Sequence, residues 1–245
     1  MLKPDLTLLV SDLHLTARRP DTTQLFERFL AGPARAARAL YILGDLFDYW
    51  LGDDSLAEPF NRRICHALCA FVESGCTGYF MAGNRDFLVG EQFATATGLH
   101  LLAEPTVCQI GGVATLLLHG DTLCTDDADY QGFRATVRSP DWSREFLAKP
   151  LAERRRQVEG LRERSETEKR TKPGGLMDAN AIAVADAFRR HAVTRMVHGH
   201  THRQARHDLT IDGKPCQRWV LGQWDERGNA LACDAGGCRW LTIPE

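Results

Sequence analysis

Side chains able to hold metal ions or grip phosphate recur along the chain in five short clusters. They are Asp12-Leu13-His14, Gly44-Asp45, Gly83-Asn84-Arg85-Asp86, His119-Gly120-Asp121 and His198-Gly199-His200-Thr201-His202. Oxygen and imidazole donors without thiolate suit manganese, iron or zinc in a reactive site better than a structural zinc. Arg85 adds a planar guanidinium that can grip a phosphoryl group through two parallel hydrogen bonds. Each cluster taken singly also has an ordinary reading. Gly83-Asn84 is common turn chemistry, and Asp12 with His14 fits a polar strand edge or a solvated turn. The candidate ligands Asp12, His14, Asp45, Asn84, His119, His198 and His200 are too many for one ion. Two ions sharing a carboxylate, at the ~3.5–4 Å spacing of two-metal sites, accommodate them.

The elements that must position these groups are legible around them. Short apolar runs over 6–10, 39–43, 77–82, 113–118 and 195–197 read as buried strands, and each cluster directly follows one. Ligands of open α/β sheets bind outside the carboxyl ends of the strands. The shared placement is therefore far more specific than any one cluster. In extended backbone, residues two apart leave the same face, so Asp12 with His14, and His198 with His200, are expected to point together. Helices are predicted over 22–31, where Leu25, Phe26, Phe29 and Leu30 form one stripe, and over 60–74 and 179–191, with a helical segment starting at Gly90. The tail reads as short strands over 219–221, 230–233 and 239–243, with turns at Asp212-Gly213 and Gly236-Gly237.

A chain of 245 residues with 44% hydrophobic and 25% charged content is expected to form one soluble domain over 1–245. A net charge of -2 exerts no global pull on nucleic acid, and neither a nucleic-acid partner nor an obligate protein partner is expected. No run of ~18 apolar residues exists. Lys3-Pro4-Asp5 leads into an apolar stretch too short for a secretory leader, so a cytoplasmic location is expected. The 8 cysteines include no Cys-x-x-Cys, and in a reducing compartment no disulfide is expected. Cys65 and Cys69 read as small core residues of a helix.

In order and spacing the five clusters resemble the five blocks of the calcineurin-like metallophosphoesterase superfamily, spanning residues 12 to 202. The resemblance implies an α/β fold: a two-sheet β-sandwich flanked by helices, with a helical insertion. It also implies two metal ions. Asp12, His14, Asp45 and His200 would hold one, and Asp45, Asn84, His119 and His198 the other, with Asp45 bridging. The wording around the blocks is narrower. Leu40-Tyr41-Ile42-Leu43-Gly44-Asp45-Leu46-Phe47, Gly83-Asn84-Arg85-Asp86-Phe87-Leu88 and His119-Gly120-Asp121-Thr122-Leu123-Cys124-Thr125-Asp126-Asp127 resemble the UDP-2,3-diacylglucosamine diphosphatase family of the lipid A pathway. That resemblance covers essentially the whole chain and implies a manganese enzyme. It would hydrolyse its substrate at the α-phosphate to UMP and 2,3-diacylglucosamine 1-phosphate.

By the same resemblance, Asn84, Arg85, Asp127, Ser165, Lys169, Lys172 and His198 would contact substrate, Lys169 standing where relatives often carry Asn. Arg85 and His198 would stabilise developing charge, and Asn84 would join the second metal to the phosphate. Asp86, Asp121 and Thr201 read as supports, while His66, His100, His191, His202 and His207 receive no role. Residues 126–180 are expected to form a helical insertion over the active site. Between Arg134 and Lys172, 12 Lys/Arg face 7 Asp/Glu, an excess of five (12 − 7), interleaved with apolar residues such as Phe133, Trp142 and Phe146. Charge alone favours a solvated cap with Arg154-Arg155-Arg156 facing water. The family resemblance instead implies a basic, apolar flap at the anionic cytoplasmic face of the inner membrane, attached peripherally. Two rival readings are a phosphoesterase for other nucleotides, phosphoproteins or nucleic acid, and a non-enzymatic scaffold. The scaffold would have lost ligands, and none is missing here.

Overall fold

The computed structural model describes residues 5–171 and 178–243. Lys172 lies outside them, as do the side chains of Ser165 and Lys169. In chain order the strands are β1 (Thr7–Val10), β2 (Ala39–Leu43), β3 (Thr77–Met81), β4 (His100–Leu102), β5 (Thr106–Ile110), β6 (Val113–Leu117), β7 (Arg195–His198), β8 (Ala205–Ile211), β9 (Lys214–Val220), β10 (Gly228–Asp234) and β11 (Gly237–Ile243). The helices are α1 (Pro20–Ala31), α2 (Pro59–Glu73), α3 (Glu91–Thr97), α4 (Ala128–Val137), α5 (Pro140–Leu147), α6 (Leu151–Thr171) and α7 (Ala181–His191).

The strands form a six-stranded sheet, β11-β10-β1-β2-β3-β4, and a five-stranded sheet, β5-β6-β7-β9-β8. β1, β2, β3 and β4 run parallel, as do β6, β7 and β9. β1 is buried on both faces, which is why it reads as a continuous apolar run instead of an alternating one. Its Leu9 joins Leu43, Met81, Leu117, Val197 and Trp219 in the core between the sheets. Leu8 and Val10 point the other way, to a second core with Phe26 and Phe29 of α1 and with Ile64, Leu68 and Phe71 of α2. On the outer face of the second sheet, Val184 and Phe188 of α7 pack on Leu116 and Met196. The α/β sandwich with helices outside both sheets is the architecture the resemblance implies.

One expectation fails here, and so does the reading that charge alone favours. Cys233 and Cys238 form a disulfide, because the β10–β11 hairpin register sets them directly opposite each other. The basic insertion does not present Arg154 to water. That side chain is 2% exposed, pairs with Asp54 and donates to the Leu51 carbonyl. Arg155 pairs with Glu58 and donates to the Tyr49 hydroxyl, and Arg162 pairs with Asp48 at 2.6 Å. Much of the charge in α6 is therefore spent against carboxylates in and around the residue 48–58 loop.

Trp224, just before β10, is fully buried with its ring 5.8 Å from Phe26 and 5.5 Å from Phe29. Its indole donates to the Asn229 carbonyl at 2.9 Å, and its backbone N–H donates to the Asp12 carbonyl at 3.1 Å. Trp224→Ala is expected to lower stability by about 3–5 kcal/mol, read as a shift in the urea unfolding midpoint.

Candidate active site

The loops after β1, β2, β3, β6 and β7 converge at one edge of the sandwich. Where β1 and β2 end, their loops continue the parallel pairing. Asp12 N–H donates to the Gly44 carbonyl at 3.1 Å and His14 N–H to the Asp45 carbonyl at 2.9 Å. Asp12, His14, Asp45, His200 and His202 all have φ between 47° and 67°. Ala192 and Asp212 alone share that conformation among the other described non-glycine residues. Left-handed backbone is costly for such residues and concentrates at functional sites. The shared direction of Asp12 and His14 thus comes from two left-handed turns, since β1 stops at Val10 and not beyond. The same correction applies to His198 and His200, because β7 ends at His198.

Close approach of these loops depends on glycine. A side chain at Gly44, itself at φ +86°, would strike the Gly83 backbone and the His119 ring at 2.6 Å. Asp86 is the tie between the loops. One carboxylate oxygen accepts from Gly83 N at 2.8 Å and Asp45 N at 3.2 Å. The other accepts from Leu46 N at 2.8 Å and Phe47 N at 3.3 Å. Asp45 Oδ1 in turn accepts from Arg85 N at 2.8 Å.

The side chains meet in two overlapping groups, Asp12–His14–His202 and Asp12–Asp45–His119. His202 Nε2 lies 3.3 Å from both Asp12 Oδ1 and His14 Nε2. Asp45 faces both groups, with Oδ2 3.8 Å from His14 Nδ1 and Oδ1 3.6 Å from His119 Nε2. Asn84 Oδ1 sits 2.9 Å from His119 Nε2 and 2.9 Å from His200 Nδ1. His200 therefore stands with Asn84 and His119, while His202, to which the sequence reading gives no role, stands with Asp12 and His14. His198 is fully buried and in neither group. Its Nδ1 lies 2.9 Å from the Gly199 carbonyl, and its Nε2 has no hydrogen-bond partner. A signal for this shift by one histidine was the strand end itself: His198 belongs to the ladder, opposite Val220.

These donors fit a divalent cation. Asp12 Oδ1 is buried with His202 Nε2 3.3 Å away, and the Nε2 atoms of His14 and His202 face each other beside it. Burial pushes the His14 imidazole well below its usual pKa and that of His200 to about 3, so both offer neutral lone pairs. Burial opposes charge on Asp12, yet His202, His119 and His14 hold its carboxyl below the ordinary range. Burial likewise disfavours a charged His119, but Asp45, Asp12, Asp121 and Glu104 around it raise its pKa.

The insertion docks directly on this site. Asp121 accepts from Arg134 Nε at 2.7 Å and from the Tyr130 hydroxyl at 2.8 Å, both on α4. Glu104 accepts from His119 N at 2.8 Å and pairs with Arg134 at 3.2 Å. Arg138 donates to the Gly83 carbonyl at 2.9 Å. Asp127 caps α4 by accepting from Tyr130 N at 3.1 Å.

The sequence matches the calcineurin-like phosphoesterase family over residues 6–204. It is 49% identical over 230 residues to a UDP-2,3-diacylglucosamine hydrolase of Aromatoleum aromaticum, covering 94% of each chain. It is 45% identical over 238 residues to one of Escherichia coli, covering 97% of this chain and 99% of that one. The chain belongs to the UDP-2,3-diacylglucosamine hydrolase family of calcineurin-like phosphoesterases. Among solved structures, a novel archaeal phosphodiesterase aligns over 97% of this chain and 99% of that chain with a TM-score of 0.47 at 10% identity. As a metallophosphoesterase, the hydrolase family carries a divalent metal centre, and the two overlapping groups provide candidate ligands for it here.

Asp86→Ala would strand four buried backbone N–H groups and free the loops carrying Asp45 and Asn84. A loss of about 3 kcal/mol or more in stability is expected, checked by urea unfolding of the metal-free protein.

Proposed function

We propose that this chain hydrolyses the pyrophosphate bond of UDP-2,3-diacylglucosamine in lipid A biosynthesis. Water attacks the α-phosphate, and the products are UMP and 2,3-diacylglucosamine 1-phosphate. The carrying observation is the convergence of Asp12, His14, Asp45, Asn84, His119, His200 and His202 in a chain that matches curated hydrolases over 94% or more of its length.

The reading places two manganese ions. Asp12, His14, Asp45 and His202 take one, and Asp45, Asn84, His119 and His200 take the other, with the two oxygens of Asp45 facing the two halves. It thereby gives His202 the place expected of His200, and His200 the place expected of His198. Such a pair supplies Lewis acidity, making water a nucleophile near neutral pH and drawing charge from phosphoryl oxygens. Arg85, whose charge reaches both His14 and Asp45, would bind the phosphoryl group. The Asn84 side-chain amide, between His119 and His200, would help hold the second ion and contact the phosphate. Glu104, Asp121 and Asp86 orient the groups that touch substrate. His198 is assigned to holding the Gly199 turn.

Residues 126–180 form the lid in this reading. Asp127 and, further along the insertion, Ser165, Lys169 and Lys172 are proposed to contact the phosphorylated lipid half. Exposed Phe133 and Leu147 favour a place for the lid at the cytoplasmic face of the inner membrane, where the acyl chains lie. Arg154, Arg155 and Arg162 are paired internally, so their charge is already engaged within the fold. Among the described residues no helix is long and apolar enough to cross a membrane.

Purified protein with manganese is expected to release UMP from UDP-2,3-diacylglucosamine in detergent and to stop when the metal is chelated. No UMP under these conditions would refute the substrate assignment. Metal analysis separates the histidines: His202→Ala should lose about one of the two ions, whereas His198→Ala should retain both. The reverse pattern would restore the arrangement first implied by the resemblance.

A further inference from the structure

The two ends of the candidate active site face different surroundings. At one end the insertion closes in, with the Tyr130 ring 5.9 Å from that of His200 and Arg138 held on the Gly83 carbonyl. At the other end His202, with 28% of its side chain exposed, opens into a separate cleft of about 400 Å³. That volume lies within the ~300–1,000 Å³ typical of small-molecule sites. The cleft runs from His202 past Gln204, Gln223, Asp225 and Asn229.

We infer that this cleft is the nucleoside subsite, taking the uracil and ribose of the substrate. The inference rests on the proposed function, which puts UMP and the lipid phosphate on opposite sides of the bond that breaks. The insertion occupies the His200 end of the site, leaving the His202 end for the nucleotide. The lining chemistry agrees. Uracil presents one N–H donor flanked by two carbonyl acceptors, and a carboxamide can supply both a donor and an acceptor. The side-chain amides of Gln204 and Gln223 have no hydrogen-bond partner among the described residues. The Asp225 carboxylate can accept from ribose hydroxyls.

The cleft is also preformed. Asn229 Oδ1 accepts from Gly222 N at 3.1 Å, and its Nδ2 donates to the Gln223 carbonyl at 3.0 Å, fastening the floor to β10. A side chain at Gly222 would press on Asn229 and Gln204 at 3.1 and 3.2 Å, so bare backbone keeps the space for a flat ring. A base read this way is distinguished by hydrogen bonds, since no aromatic side chain other than His202 lines the cleft.

Calorimetry on the manganese-loaded full chain tests this with UMP, AMP and ribose 5-phosphate. UMP should bind at least about tenfold more tightly than either competitor, the effect of roughly two hydrogen bonds. The double variant Gln204→Ala with Gln223→Ala should erase that advantage without weakening ribose 5-phosphate. Amide exchange on the wild-type protein should show residues 222–229 protected by UMP, a readout independent of how the variant folds. Equal binding of UMP and ribose 5-phosphate, a retained UMP preference in the variant, or no protection of 222–229 would overturn the subsite. The two readings fail separately. UMP preference without lipid cleavage refutes the substrate assignment, and lipid cleavage without UMP preference refutes the subsite alone.

Discussion

One buried carboxylate holds the geometry on which the rest depends. Asp86 accepts four backbone N–H groups from the loops after β2 and β3 and so fixes Asp45 relative to Asn84. Fully buried, it has no water to fall back on, and these donors together with the charge of nearby His119 offset its desolvation. Asp45, which it braces, stands in a left-handed conformation that costs energy on its own. The close approach of Gly44 and Gly83 leaves these loops no room to relax. Rigid, strained loops on a packed sandwich keep oxygen and nitrogen donors facing one another, which a metal site needs and an unsupported loop would not sustain.

The insertion follows a related logic. Its arginines are an excess in the sequence, and several of those described turn toward carboxylates of the sandwich loops. Arg134 bridges Asp121 and Glu104, and Glu104 in turn binds the His119 backbone, so the placement of α4 is coupled to that of a candidate ligand. Arg154, Arg155 and Arg162 tie α6 to the 48–58 loop. Partial burial makes such pairs matter more than surface ion pairs, because removing one member leaves the other desolvated. The apolar part of the insertion is divided between exposed Phe133 and Leu147 and an inner stack of Trp142 on buried Phe146 at 4.7 Å.

Much was legible in the chain itself. Doubly buried parallel strands announce themselves as continuous apolar runs, and β2 over Ala39–Leu43 was readable to the residue. The stripe of α1 and the turn at Asp212-Gly213 follow from local patterning in the same way. Strands β5 and β8 were not legible, because their alternating, half-exposed residues carry no run of apolar side chains. The Cys233–Cys238 bond escaped for a related reason, since strand register, and not spacing, makes two cysteines neighbours.

The sequence by itself determined the donor types, their order along the chain and their position after strands, and through these the family. It could not determine which histidines of His198-Gly199-His200-Thr201-His202 face the site. That choice depends on where β7 leaves the ladder and on the left-handed turns that follow, which swing His200 toward Asn84 and His202 toward Asp12 and His14. Nor could charge counting reveal that Arg154, Arg155 and Arg162 turn inward, because their carboxylate partners come from the residue 48–58 loop, up to 114 positions away (162 − 48). Local chemistry is written in neighbouring residues. Its direction is decided by contacts between residues that only the packed chain brings together.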